Sequence, residues 1–371
     1  MGININTQEL LQLLGQTPAT QNVMLVGRHG IGKSEILTEY YAAKGMKVVA
    51  LFLGQMSDPG DLIGLPMREQ VAAAPARKGA DTNITVKTAF APPYWWPEDG
   101  KPIVLFLDEL NRARPEVLQT IMDLALNRKL AGRLLPEGSR VISAVNAGEE
   151  YQITDLDPAL VSRFNIYNFR PTVNEWLLWA ERTGVDYRVV QFIQNEGVWL
   201  DGNEGQRTGI DTGLDKTPDR RAWKKVSDAI IGKEELTDLD KKLIAGIVGP
   251  AAASRFMGSV SGNKVLTGME VLTDFNKHKL VLSKYRLHQL AIVNEGIYRY
   301  LETYDTTAVD AKAIAANLTA YYQMLEKAKN SEAIAHFASV FEKNAYPKAI
   351  LFILDETPKI YDKLMQFIAN L

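Results

Sequence analysis

The residues Gly27, Arg28, His29, Gly30, Ile31, Gly32, Lys33 and Ser34 follow directly on the apolar run Val23-Met24-Leu25-Val26. A short apolar run reads as a buried strand. Three glycines within six positions read as a tight turn whose backbone takes positive φ at Gly27, Gly30 and Gly32 and aims successive N–H groups at an anion. The chain then continues as a helix from Glu35 to Tyr40, and the dipole and open amides of its first turn favour a phosphate. Strand, glycine-rich turn and helix in this order predict a phosphate-binding loop in an α/β domain, with Gly27 to Glu35 as candidate nucleotide contacts. Lys33 is the residue to reach the β- and γ-phosphates, and the Ser34 hydroxyl is a candidate Mg2+ ligand.

Further apolar runs predict strands at Lys47–Phe52, Ile103–Asp108, Arg140–Asn146 and Ile166–Phe169, alternating with helices near 7–15, 35–40 and 115–126. That alternation predicts a parallel sheet. Residues 54–101, rich in Pro, Gly and Ala, read as a long irregular insert, and Lys129–Ser139 as a hairpin turning at Pro136-Glu137-Gly138. Beyond Pro171 the periodicity turns helical, at 175–180, 187–195, 221–230, 240–253 and throughout the stretch from about 264. Residues 201–219 between them are polar and glycine-rich.

A chain of 371 residues suggests two or three domains. Its 46% hydrophobic content and net charge of −2 predict sizeable cores and no global attraction to nucleic acid. The absence of cysteine excludes a disulfide framework and fits a reducing compartment. With no leader-like N-terminus and no apolar run of spanning length, the expectation is a cytoplasmic protein with no membrane partner. The four histidines show no metal-ligand spacing.

A phosphate loop by itself leaves Mg2+ half coordinated and an attacking water unactivated. The strand ending Leu107-Asp108-Glu109 supplies both missing groups. Asp108 is placed to orient Mg2+, and Glu109 to polarise the water as a general base. No guanine-reading Asn-Lys-x-Asp is present, so the expected ligands are ATP and ADP with Mg2+.

Asp108-Glu109-Leu110-Asn111-Arg112-Ala113 resembles the second nucleotide motif of MoxR-like AAA+ ATPases, in the dynein-related group. Asp157-Pro158-Ala159-Leu160-Val161-Ser162-Arg163-Phe164 resembles that family's arginine-finger segment, and Thr217-Pro218-Asp219-Arg220-Arg221-Ala222 its sensor-2 segment. Val145-Asn146 is similar to the end of its sensor-1 strand, and Ala91–Pro97 to the end of its insert. Five motifs in order cover roughly residues 15 to 260.

The resemblance implies a P-loop AAA+ parallel-sheet domain over 1–171, an all-α lid over 172–263 and a C-terminal helical region over 264–371. It implies that Asn146 holds the attacking water or the γ-phosphate, and that Arg163 acts on a neighbouring subunit's γ-phosphate, with Arg112 and Arg114 as competitors for that role. Sensor 2 is Arg220 or Arg221, with the alignment on Ala222 leaning to Arg221. The implied activity is ATP hydrolysis by a homo-oligomeric ring, a hexamer, that remodels a protein client, often one with a von Willebrand A domain. The alternative is a nucleic-acid motor, for which Arg128, Lys129, Arg133, Lys224, Lys225, Lys241 and Lys242 offer local charge.

Overall fold

Five of the apolar runs become strands of one sheet, and a sixth strand at the N-terminus joins its edge. The computed structural model describes residues 2–72, 84–146, 156–202, 216–260, 265–304, 310–343 and 345–369. Parts of the insert and of the polar 201–219 stretch therefore lie outside the described residues. The chain divides into two compact units, residues 1–171 and 172–371.

The first unit begins with β1 (Ile3–Ile5), α1 (Thr7–Gln16), β2 (Asn22–Gly27), α2 (Lys33–Ala42) and β3 (Lys47–Phe52). It continues through α3 (Gly60–Ile63), β4 (Pro66–Ala72), β5 (Ile84–Phe90), β6 (Ile103–Asp108) and α4 (Pro115–Asn127). β7 (Lys129–Leu130), β8 (Arg133–Leu134), β9 (Arg140–Asn146), α5 (Pro158–Val161) and β10 (Phe164–Phe169) complete it. The main sheet has the order β1-β10-β2-β9-β6-β3, and every pairing in it is parallel. This is the predicted α/β class.

Successive side chains leave a strand on opposite faces, so a strand covered on both sides must be apolar throughout. In β6, Leu105 and Leu107 enter one core with Met24, while Val104 and Phe106 enter the other with Val23 and Leu25. The side chains of Asn6 and Glu9 form a reciprocal capping box that starts α1.

One strand was not foreseen, and two local expectations are corrected. The N-terminal Ile3–Ile5 is a strand paired to β10. The insert is not irregular throughout, because β4 and β5 pair antiparallel from Pro66↔Phe90 to Ala72↔Ile84. The β7–β8 hairpin turns at Ala131 (φ 47°) and Gly132 (φ 79°), not at Pro136-Glu137-Gly138. Two consecutive left-handed residues match the twist of a two-residue hairpin. Pro136–Ser139 closes a separate turn, in which the Ser139 N–H donates to the Pro136 carbonyl at 3.0 Å.

The described part of the second unit is helical. α6 (Val173–Arg182), α7 (Tyr187–Asn195), α8 (Arg220–Ile230), α9 (Asp238–Val248) and α10 (Pro250–Val260) share a core built on Trp176, Phe192, Trp223 and Phe256. The single helix expected over 240–253 is two, because Gly249 at φ 90° and Pro250 end one and start the next. α11 (Gly268–Thr273), α12 (Phe275–Leu282), α13 (Leu287–Thr303), α14 (Ala311–Lys327), α15 (Ser331–Glu342), α16 (Pro347–Glu356) and α17 (Pro358–Ala369) follow. They surround another core, which includes Tyr298, Tyr321 and Phe337. Among the described residues no helix is long and apolar enough to cross a membrane.

Candidate functional site

The carboxyl ends of four adjacent strands set the site. Register places Gly27 of β2 beside Asn146 of β9, and Phe52 of β3 beside Asp108 of β6. In an open parallel sheet this edge is where ligands bind.

From β2 the chain turns through Gly30 (φ 79°) and Gly32 (φ 92°) into α2. These two positions require the left-handed region. Gly27 does not have positive φ, contrary to expectation, and is needed for space. A Cβ there would sit 2.8 Å from both Ile31 Cδ1 and the Phe169 carbonyl oxygen. Ile31 anchors the loop in the core, whereas Arg28, His29 and Glu35 are exposed and Ser34 is half-buried in the first turn of α2. The first-turn amides of α2 have no intrahelical acceptor, and Gly32 provides no side-chain cap for them.

Lys33 is 6% exposed. Its Nζ donates to the carbonyl oxygens of Gly27 and Arg28, both at 2.9 Å, and to Asn146 Oδ1 at 3.1 Å. Burial pulls its pKa down to about 8, against the opposing pull of the Asp108 and Glu109 carboxylates. Burial likewise raises the pKa of Asp108, opposed by the Glu109 N–H donating to Asp108 Oδ1 at 2.9 Å and by the Lys33 charge. The edge thus holds an ammonium and a carboxylate that are both short of solvation. A phosphate would satisfy the first, and a cation the second.

Glu109 sits in the left-handed region at φ 57° and ψ 40°. Its Oε1 accepts from Arg112 Nη1 at 3.0 Å. Its Oε2 lies so close over Gly54 that a Cβ on that glycine would approach it to 2.8 Å. The carboxylate is therefore turned toward the end of β3 and paired with Arg112. Asn111, which had no assigned role of its own, follows two residues after Glu109 and is fully buried. It exchanges two 3.3 Å hydrogen bonds with the Asn146 backbone. The sequence carries no signal for that contact, which spans 35 residues.

Arg163 stands elsewhere. It precedes Phe164, which pairs with Asn22 at the amino end of β2, and its carbonyl accepts from Asn22 Nδ2 at 3.1 Å. At about 3.3 Å per residue, the five steps from Asn22 to Gly27 separate Arg163 from the loop of its own subunit by roughly 17 Å. Its Nε is buried without a hydrogen-bond partner among the described residues. Arg114 donates to the Ser57 carbonyl at 3.2 Å.

In the second unit, Arg220 and Arg221 part company. Arg220 is 7% exposed and its guanidinium grips Asp201 through two bonds of 2.9 Å. Arg221, the next residue of α8, is exposed. Among the described residues no group of three or more His, Cys, Asp or Glu could hold a metal ion by itself. Ser34 and Asp108 nonetheless offer the hard oxygen donors that Mg2+ takes alongside phosphate oxygens.

Residues 22–164 match the family described as AAA domain (dynein-related subfamily). They are an AAA domain of that subfamily, as the resemblance implied for this segment. A Thauera aromatica protein described as "Putative chaperone BssE" is 26% identical over 174 residues, covering 44% of this chain and 56% of that protein. The chain thus spans little more than half the length of the curated relative it matches. Among solved structures, NtrX from Brucella abortus in complex with ADP aligns over 86% of this chain and 64% of its own, at 12% identity and a TM-score of 0.37. The Thermotoga maritima RuvB Holliday junction branch migration motor aligns over 84% and 80%, at 13% identity and a TM-score of 0.35.

Proposed function

We propose that this AAA domain of the dynein-related subfamily binds ATP with Mg2+ and hydrolyses it to ADP and phosphate. The whole chain then acts as a MoxR-like ring motor that remodels a protein partner. The observation that carries this reading is Lys33, a buried ammonium held by its own loop's carbonyls and by Asn146, on the edge where Asp108 and Glu109 end their strand. A bound nucleotide would offer Lys33 phosphate oxygens in place of those carbonyls.

Ser34 and Asp108 are the residues that would hold Mg2+, which would supply positive charge against the phosphates. Asn146, with Oδ1 toward Lys33, orients its amide for the γ-phosphate or the attacking water. Glu109 takes the water's proton, and to do so its carboxylate must leave Arg112. The position of Arg163 at the far end of the sheet supports action on a neighbouring subunit, and hence a closed ring, for which a hexamer is the proposed form. Arg221 is the better sensor-2 candidate because the guanidinium of Arg220 is committed to Asp201. The lid over 172–263 and the helical region over 264–371 remain part of this proposal, as does a client, of which a von Willebrand A domain protein is one form. The name of the Thauera relative agrees with a chaperone-like role.

Of the seven basic residues behind the nucleic-acid alternative, three make internal contacts. Arg128 donates to the Ser139 and Ala19 carbonyls, Arg133 to the Phe90 carbonyl, and Lys224 pairs with Asp228.

Two outcomes test the reading. Glu109→Gln should retain nucleotide affinity and lose about 10²–10⁴ in turnover, the range a positioned base contributes. Unchanged turnover in a steady-state phosphate-release assay would remove Glu109 from the mechanism. The second outcome concerns pH. Phosphate favours the charged lysine, so nucleotide affinity should fall as pH rises past about 8, with proton uptake on binding there. Calorimetry in buffers of different ionisation enthalpy reads that uptake, and affinity flat through this range would exclude Lys33 as the titrating contact. In the free protein the sign for stability is opposite. The folded pKa lies below the unfolded 10.5, so stability from this group rises with pH between about 8 and 10.5.

A further inference from the structure

Resting on the hydrolysis proposed above, we infer that Asn111 is a positioning residue that aims Asn146 and ties it to the turn carrying Glu109. The β6–β9 ladder runs from Val104↔Arg140 to Leu107↔Ser143 and stops there. Asn146 lies three residues further along β9, beyond the last strand partner on that side, and is only 2% exposed. Its backbone N–H and C=O would be buried without partners on this edge. The Asn111 side-chain amide fills the gap as a detached peptide unit would. Its Oδ1 accepts from the Asn146 N–H and its Nδ2 donates to the Asn146 carbonyl, both at 3.3 Å.

Two bonds from one planar amide fix the backbone of Asn146 in orientation as well as in place. The direction of its side chain follows, and that side chain accepts from Lys33 Nζ at 3.1 Å. Asn111 itself is held in the Leu110–Arg112 turn directly after Glu109, whose partner Arg112 is the next residue. One side chain therefore links the group that senses the phosphate to the turn that holds the base. A shift of Glu109 toward a water would move Asn111, and through it the Asn146 amide.

The test is a double-mutant cycle on Asn111→Ala and Asn146→Ala, read as kcat, KM and bound nucleotide per chain. Asn111→Ala should bind one nucleotide per chain with KM unchanged and lose kcat on the order of 10²-fold, the cost of misplacing a catalytic group by about 1 Å. The double variant should be no slower than Asn146→Ala alone, because Asn111 acts only through that residue. Losses that multiply, or an Asn111→Ala enzyme with normal kcat, overturn the inference. Should Asn111→Ala fail to bind stoichiometric nucleotide, the same cycle is run with Asn111→Ser, which keeps a polar group in the turn. A wild-type chain that hydrolyses no ATP would instead refute the parent proposal, so the two failures are distinguishable.

Discussion

Lys33→Ala is expected to abolish measurable hydrolysis and to weaken nucleotide binding by about 2–5 kcal/mol, the usual result of truncating one partner of a buried charge pair. That corresponds to roughly 30- to 5,000-fold in Kd. The lost turnover adds to this, because the lysine also meets charge that grows on the γ-phosphate during reaction. The fold should survive the change. Burial holds the Lys33 ammonium in a disfavoured state, with a pKa near 8, so the free protein carries it at a cost. Titration with a fluorescent ADP analogue, alongside a melting curve, separates the two effects. Wild-type affinity in the variant would mean that the loop does not hold the phosphates.

The second large effect belongs to Arg163. Arginine supplied in trans is worth about 10³–10⁵ in rate, so Arg163→Ala should hydrolyse ATP that much more slowly while still binding it. The decisive measurement mixes variants. Lys33→Ala subunits retain Arg163, and Arg163→Ala subunits retain an intact loop. Each is inactive by itself, but a mixed ring contains interfaces where the arginine of the first meets the loop of the second. Activity that reappears on mixing supports a site completed between subunits. Normal hydrolysis by Arg163→Ala alone would transfer the role to Arg112 or Arg114, and no recovery from rings shown to contain both variants would overturn a site completed between subunits.

Much of this site is legible in the sequence because its requirements are local. A buried strand, glycines at Gly30 and Gly32, and a lysine opening a helix are demanded by one short stretch of backbone, and they all fall between Asn22 and Ser34. Asp108-Glu109 at the end of an apolar run is legible for the same reason. Contacts between distant segments are not. Asn111 and Asn146 lie 35 positions apart, and only the early end of the β6–β9 ladder brings them together. Arg220 and Arg221 are chemically equal in sequence, and they differ only once α8 buries one against Asp201 and leaves the other exposed. The hairpin turn is not legible because Pro-Glu-Gly is the stronger local signal, while Ala131 takes a left-handed conformation that its residue type does not announce.

Glu109 occupies that same left-handed region. An L-residue with a long side chain sits there at about 1–2 kcal/mol, whereas glycine accepts it without strain and asparagine with less. The residue that best suits the turn is therefore not the residue proposed for the chemistry. Glu109→Gly should relieve that backbone strain while removing the carboxylate. On the role proposed for Glu109, the conflict between durability and work is confined to a single peptide unit.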